Sequence, residues 1–486
     1  MLIKTTASGG DILMAQYRHL FELISDNFDY DELTFLCQSL GIDIEELSGG
    51  SSKKRKAMEL QEYMRRRGRS DELLQEVHRE RPHLDLRLFG GPEPEEEDTT
   101  TPITPVKPTP IESQIKMPSL QPSVTAWQDY ENFDIHIGLR HADGRYPLNV
   151  INSPAGQTPG TILQKLPLDD EAFSDVVYYL RELIATSHHA EQLSTQLRDF
   201  LFPPAVWNLY VSSLATVKER HKKGLRIRLH FSLDSSPELS QIPWEYCAGD
   251  RTYLALNETT PVVRYIQTDR PLTPIAIPEM VRILIVMASP KDLQPLKVEE
   301  EEKRVRQALT PLEARGQVLV QVVPHTTRRK LFKHFSTFNP HILHFVGHGE
   351  LNKDGEGTLL LENEVGESDA IDARRMLVLL QDSNVRLVIL NACETAATSE
   401  GKALMGVAPR LVWAGVPAVI AMQFMVPDPV AVAFMEDLYN AMAQGKPLDM
   451  AMTAARKGAY IVNDEIYWAI PVLFLHAPDG VIWQPK

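Results

Sequence analysis

Cysteine is scarce: only Cys37, Cys247 and Cys393 occur in 486 residues, far apart and in no metal-ligand spacing. That pattern excludes a disulfide framework, argues against a zinc site and suits a reducing compartment. Basic residues are in deficit, with 50 Lys plus Arg against 65 Asp plus Glu and a formal net charge of −15. Nucleic acid and anionic membrane both reward a basic surface, so neither is expected as the main partner. Long apolar runs are also lacking. The first twenty residues carry no apolar core of the signal-peptide kind, and the longest apolar stretch, residues 411–422, is interrupted by Gly415 and Pro417. Such a stretch is too short to span a bilayer, and the expectation is a cytoplasmic chain with no stable membrane insertion. No glycine-rich phosphate loop of the P-loop type occurs, which argues against nucleotide hydrolysis, and no cofactor or metal is expected. What remains is a chain with 43% hydrophobic residues, long enough for two to four domains.

Residues 12–89 read as a small helical bundle. Tyr17, Leu20, Phe21 and Ile24 follow the i, i+3, i+4, i+7 spacing, and Leu33, Leu36, Cys37 and Leu40 repeat it. Cys37 thus reads as a buried small hydrophobe. Gly41 stands where a helix end favours a left-handed residue. A third stripe places Ala57, Leu60 and Met64 on one face and stops at Gly68. Ser70 is read as the N-cap of a fourth helix, with Asp71 and Glu72 in its first turn. Charge is segregated: residues 22–46 hold eight acids and no Lys or Arg, and residues 53–69 hold eight bases against Glu59 and Glu62. Two readings stay open, ordinary solvated faces or opposite faces that stack on a copy or a relative.

Residues 90–123 read as a flexible linker, with eight prolines between Pro92 and Pro122 beside the acidic run Glu95, Glu96, Glu97 and Asp98. Such a composition cannot bury enough apolar surface to offset its ordering entropy. From about 131 the pattern alternates, with Phe133, Ile135, Ile137 and Leu139 on one side, then Asp143-Gly144 as a hairpin turn into Tyr146, Leu148 and Val150. Helical stretches are predicted near 169–186 and 205–221, and a strand with Leu225, Ile227, Leu229 and Phe231 follows. After 281, apolar strands at 281–287, 318–323, 341–346, 385–390 and 416–423 alternate with helical segments. Strands apolar throughout belong to a mostly parallel sheet covered on both faces, so the expected class is α/β.

Open α/β sheets carry their chemistry at the carboxyl ends of strands. The strand at 341–346 runs into Gly347-His348-Gly349-Glu350, and the strand at 385–390 runs into Asn391-Ala392-Cys393-Glu394. On neighbouring strands these would supply a cysteine nucleophile and a histidine base. Taken singly, each also reads as structural. His341 and His344 read as packing or hydrogen-bonding residues, and Cys247, with no histidine near it in sequence, as structural.

Here a resemblance enters. His344-Phe345-Val346-Gly347-His348-Gly349 and Leu387-Val388-Ile389-Leu390-Asn391-Ala392-Cys393-Glu394-Thr395-Ala396 resemble the two signature strands of the CHAT family, caspase-like cysteine peptidases related to separase. The likeness extends through Gly415-Val416-Pro417-Ala418-Val419-Ile420-Ala421-Met422-Gln423-Phe424, Gly224-Leu225-Arg226-Ile227-Arg228-Leu229 and Ile242-Pro243-Trp244-Glu245, and so covers roughly 131–480. It implies a caspase-like fold in two halves, a degenerate one over residues 124–275 and a catalytic one over 276–486. It implies His348 as catalytic histidine, Cys393 as nucleophile, the backbone N–H groups of Gly349 and Cys393 as oxyanion hole, and a protein substrate. Asp292 and Asp428 match acidic positions of the family pattern, and would select a basic residue before the cut; the alternative is that they cap the helices after them. Asp29-Tyr30-Asp31-Glu32-Leu33, Leu40-Gly41-Ile42-Asp43, Leu60-Gln61-Glu62-Tyr63 and Arg67-Gly68-Arg69-Ser70-Asp71-Glu72-Leu73 resemble the bacterial effector-associated, death-like domain. That implies homotypic association through residues 12–89 in a bacterial conflict system. A caspase-fold scaffold without activity is the alternative function.

Overall fold

The computed structural model describes residues 20–28, 30–42, 44, 53–66, 69–81, 84, 86, 130–168, 170–222, 224–232, 235–250, 252–268, 276, 279–296, 298–381, 383–391, 398–424, 426–462 and 466–483. The chain divides into two compact units, Met1–Met117 and Pro118–Lys486.

The first unit holds helices α1 (Leu20–Asn27), α2 (Tyr30–Ser39), α3 (Lys53–Arg66) and α4 (Ser70–Glu80). Helices this short do not persist alone in water, so they depend on a shared core. Leu20, Ile24, Leu33, Leu36, Cys37, Leu60, Met64, Leu73 and Val77 are all buried there, each large aliphatic side chain contributing roughly 1.5–3 kcal/mol. The end of α2 is a Schellman motif. Gly41 has φ +74, its N–H donates to the Gln38 carbonyl, and the Ile42 N–H donates to the Cys37 carbonyl.

Two expectations are corrected in this unit. Ser70 is the first helical residue, and Arg69 stands at the N-cap without a side-chain cap bond. The Arg69 guanidinium instead reaches the Leu40 carbonyl (3.0 Å) and Glu72 (2.7 Å). Nor do all the bases share a solvated face: Lys56 is buried, and its ammonium donates to the Ile44 carbonyl at 2.7 Å. Residues 12–19, Tyr17 among them, 87–89 and the expected linker lie outside the described residues.

The second unit is built on one large sheet. β1 (Tyr130–Ile137), β2 (Arg145–Asn152) and β3 (Ile162–Lys165) are joined antiparallel. Then come α5 (Glu171–Arg181), α6 (Ser187–Leu201), α7 (Pro204–Glu219), β4 (Gly224–Phe231) and β5 (Val262–Tyr265), with β4 parallel to both β1 and β5. The predicted stretch at 169–186 stops earlier, because Leu183 turns left-handed (φ +56). A new helix starts at Ser187, where the Thr186 N–H donates to the His189 imidazole (3.1 Å). Ala190, Leu193, Leu197, Phe200 and Leu201 form the buried stripe of α6, a helix beyond those expected from the sequence.

The rest of the sheet follows from β6 (Val281–Met287). α8 (Val298–Ala314) leads to β7 (Val318–Val323) on one side of β6, and α9 (Arg328–Phe338) leads to β8 (Ile342–Val346) on the other. After His348 come β9 (Gly349–Leu351), β10 (Gly357–Glu362) and β11 (Ser368–Asp372), a separate antiparallel sheet ordered β11-β10-β9. α10 (Ala373–Leu380), β12 (Leu387–Asn391), α11 (Thr398–Trp413), β13 (Ala418–Met422), α12 (Asp428–Ala443), α13 (Leu448–Val462) and β14 (Pro471–Leu475) complete the unit. The large sheet has the order β3-β2-β1-β4-β5-β14-β13-β12-β8-β6-β7. Six strands, β4, β5, β6, β7, β8 and β12, have only parallel partners, while β13 is parallel to β12 and antiparallel to β14, which is itself parallel to β5. The fold is therefore α/β, with a mostly parallel sheet between helices. The path reverses at β6, with β7 on one side and β8 on the other, which opens a crevice at the carboxyl ends of β6 and β8.

Candidate functional site

Local sequence carries His348 to that crevice. All five residues of β8 are buried, so the strand is fixed along its length. Gly347 then lets the chain leave it, because a Cβ there would lie 2.6 Å from the Phe345 ring. β12 is the parallel neighbour of β8, with Asn391 opposite Val346. The pairing continues one residue further: the Gly347 N–H donates to the Asn391 carbonyl at 3.3 Å. The residue before His348 is thus bonded to the residue two before Cys393. Cys393 itself, like all of residues 392–397, lies outside the described residues.

His348 is buried, and its Nε2 lies 2.9 Å from the Gln294 carbonyl. A carbonyl can only accept, so Nε2 carries the proton, and in the neutral ring Nδ1 is the acceptor. The His348 carbonyl accepts the Leu360 N–H at 2.9 Å, and Gly349 stands opposite Leu359. Bonded and non-bonded pairs alternate in an antiparallel ladder, so the Gly349 N–H turns away from β10. It faces the outer side of β9. Glu350 is exposed, with its carbonyl accepting the Thr358 hydroxyl at 3.1 Å.

The loop after β6 approaches His348 from the other side. Asp292 lies in that loop, where its two carboxylate oxygens accept the Ser368 N–H (2.7 Å) and hydroxyl (2.6 Å). The bonds from Ser368 hold its carboxyl below the usual range. Asp292 caps no helix, since α8 begins only at Val298. Asp428 opens α12 behind Pro427 at the N-cap; its side chain is not among those described.

The other sequence candidates sit away from this crevice. Cys247 is a free, buried thiol whose pKa burial pushes up. His344 is wholly buried with Tyr439 Oη 3.3 Å from its Nδ1, and burial pushes it down to about 4. His341 accepts the Arg282 N–H at Nδ1 (3.0 Å), and burial and Arg282 lower it to about 4. Sequence reasoning missed Gln294, since a backbone carbonyl has no residue signature. It also missed Ser368 and Glu362 beneath the same loop. Among the described residues no cluster of His, Cys, Asp and Glu could hold a metal ion, and no single helix is long and apolar enough to cross a membrane.

No curated protein matches this sequence. Among solved structures, the separase–securin complex of Saccharomyces cerevisiae is similar over 96% of this chain and 37% of the separase-complex chain, at 10% identity and a TM-score of 0.43. A second structure of that complex gives 9% identity and a TM-score of 0.40. The complex of Porphyromonas gingivalis RgpB pro- and mature domains is similar over 65% of this chain and 78% of that one, at 11% identity and a TM-score of 0.35. The chain spans little more than a third of the length of the first of these. The family model of effector-associated domain 7 matches residues 18–82, which takes in the four helices among the described residues of the first unit. The CHAT domain model matches residues 191–475, from within α6 to the end of β14 and across the His348 crevice. With more than half of its length so matched, the chain belongs to the CHAT family.

Proposed function

We propose that the chain is a cysteine endopeptidase in which Cys393 is the nucleophile and His348 the base. The observation that carries this reading is the bond between Gly347 and Asn391, which sets the carboxyl ends of β8 and β12 side by side. His348 Nδ1 would take the Cys393 thiol proton, leaving a thiolate to attack the scissile carbonyl. The Gln294 carbonyl, already bonded to Nε2–H at 2.9 Å, stabilises the imidazolium that results. The N–H groups of Gly349 and Cys393 would hold the tetrahedral oxyanion. Nδ1–H then protonates the leaving amine, and water hydrolyses the thioester to release the acid and restore the thiol.

The first unit serves recruitment in this reading. Its match to an effector-associated domain and its segregated charge support pairing with a like domain on a partner or a second copy. The setting that fits best is a cytoplasmic bacterial defence or regulated cell-death system with a protein substrate.

A thiol-reactive peptide probe tests the enzyme. Labelling should disappear in Cys393→Ala and persist in Cys247→Ala, whose thiol is buried. Labelling that survives Cys393→Ala would overturn the assignment. A native chain that takes no label at all would leave a CHAT-family scaffold in place of an enzyme.

A further inference from the structure

The loop from 288 to 296, which brings the Gln294 carbonyl to His348, is fastened to a second element at Ser289, Lys291 and Asp292. The Ser289 N–H donates to Glu362 Oε1 at 2.9 Å, at the end of β10. The Lys291 N–H donates to the Gly366 carbonyl at 2.8 Å, in the β10–β11 turn. Asp292 holds Ser368, the first residue of β11, through both carboxylate oxygens. The Ser289 hydroxyl accepts the Leu296 N–H at 2.9 Å, which closes the loop around Gln294. Glu362 is 5% exposed, and its Oε1 also lies 3.1 Å from His325 Nδ1. The same hairpin holds His348, through the bond from the Leu360 N–H to its carbonyl. One hairpin therefore sets both the imidazole and the carbonyl that orients it.

We propose that Asp292 and Glu362 are positioning residues for His348, clamping the 288–296 loop to the β10–β11 hairpin so that the Gln294 carbonyl stays aimed at Nε2. This rests on the peptidase reading for its kinetic consequence, but the clamp has its own signature in the state of the His348 ring. Neither carboxylate is assigned a contact with substrate. Loosening the clamp should let the imidazole rotate or change tautomer, which lowers kcat and leaves KM in place. What each site needs is an acceptor oxygen facing an N–H, so the amide variant should restore what alanine removes.

The test uses the full chain. Asp292→Ala and Glu362→Ala should each lower kcat by about tenfold or more, the range typical of groups that orient a functional histidine, with KM within about twofold. Asp292→Asn and Glu362→Gln should recover most of that loss. Independently of activity, nitrogen NMR of the histidine rings, with His348 assigned by comparison with His348→Gln, should show the Nε2–H form in the native chain and a mixed or altered form in Asp292→Ala. Asp292 is exposed, so that variant keeps the test valid if Glu362→Ala fails to fold. The clamp is overturned if Asp292→Ala leaves both kcat and the ring signal unchanged, or if Asp292→Asn is as impaired as Asp292→Ala. If the native chain cleaves nothing, the peptidase reading falls, while a ring signal lost in Asp292→Ala would still uphold the clamp.

Discussion

β4 and β8 are both interior strands, buried at every residue, yet they dispose of polar side chains in opposite ways. β4 turns Leu225, Ile227 and Leu229 into the core, while Arg226, Arg228 and His230 alternate with them. Each of those polar groups is consumed where it stands. Arg226 pairs with Asp449 of α13 and donates to the Asp479 carbonyl at 2.9 Å. Arg228 engages both oxygens of Asp134, one of them at 2.7 Å. Burial alone would raise the Asp134 carboxyl, but the bonds from Arg228, His230 and Asn152 outweigh it and hold the group ionised. β8 instead keeps its single polar side chain, His344, inside and places His348 past its end, beyond Gly347. Charge satisfied inside the sheet makes one half a support. An imidazole at a strand end, aimed by a loop, gives the other half the group on which the proposed chemistry rests.

The sharpest way to break this contrast is to remove the pair itself. Cys393→Ala and His348→Ala should each lower turnover by at least about three orders of magnitude, and the double variant should lose little more, because the two act as one unit. Far-ultraviolet circular dichroism should be unchanged in each. Wild-type turnover in either single variant would return the strand ends to a structural role.

The second test acts on the supporting half. Glu245 lies wholly buried between Arg264 (2.8 Å) and Arg456 (3.7 Å), and Arg264 also donates to Gln423 Oε1 (3.1 Å) just past β13. Burial already lowers Arg456 to about 10. Glu245→Ala would strand two buried guanidinium groups and should cost about 3–5 kcal/mol in a denaturation series. Turnover per folded molecule should hold. A variant that folds normally but loses turnover would mean that this half takes part in catalysis.

The smallest expected effect is on pH. An exposed histidine titrates near 6.5, whereas His344 in the fold stays neutral down to about 4. Between these values the unfolded chain binds the extra proton, so stability must fall as pH falls from about 6.5 toward 4 and stay flat above. For His344 alone the loss near pH 4.5 should be about 2–3 kcal/mol, and His344→Phe should flatten that part of the profile. A stability that is constant from pH 7 to 4 in both proteins would contradict the buried neutral ring.

The strands after residue 281 were legible because burial on both faces writes continuous apolar runs. β6 and β7 fall at the predicted bounds, and β8, β12 and β13 within one or two residues of them. His348 was legible because glycine flanks it at a strand end. What stayed hidden depends on partners distant in sequence. Lys56 reads as one more base in a basic run until the Ile44 carbonyl takes its ammonium inside. The partner of Asp292 is hidden in the same way, since Ser368, which engages both its oxygens, stands 76 residues further on. The Gln294 carbonyl leaves no mark in any sequence pattern.

The position of β14 has a consequence for how the protein is made. It lies between β13 and β5 in the large sheet, so the two halves have no common ladder until residues 471–475 have left the ribosome. Up to then β5 and β13 each present an open edge, the kind of surface that invites pairing with a foreign strand. Joining β5 to a strand about two hundred residues later is a non-local step, slow beside the local helix formation that precedes it. A nascent chain is therefore expected to stay without a finished sheet, and to look to chaperones, until the last of these strands arrives.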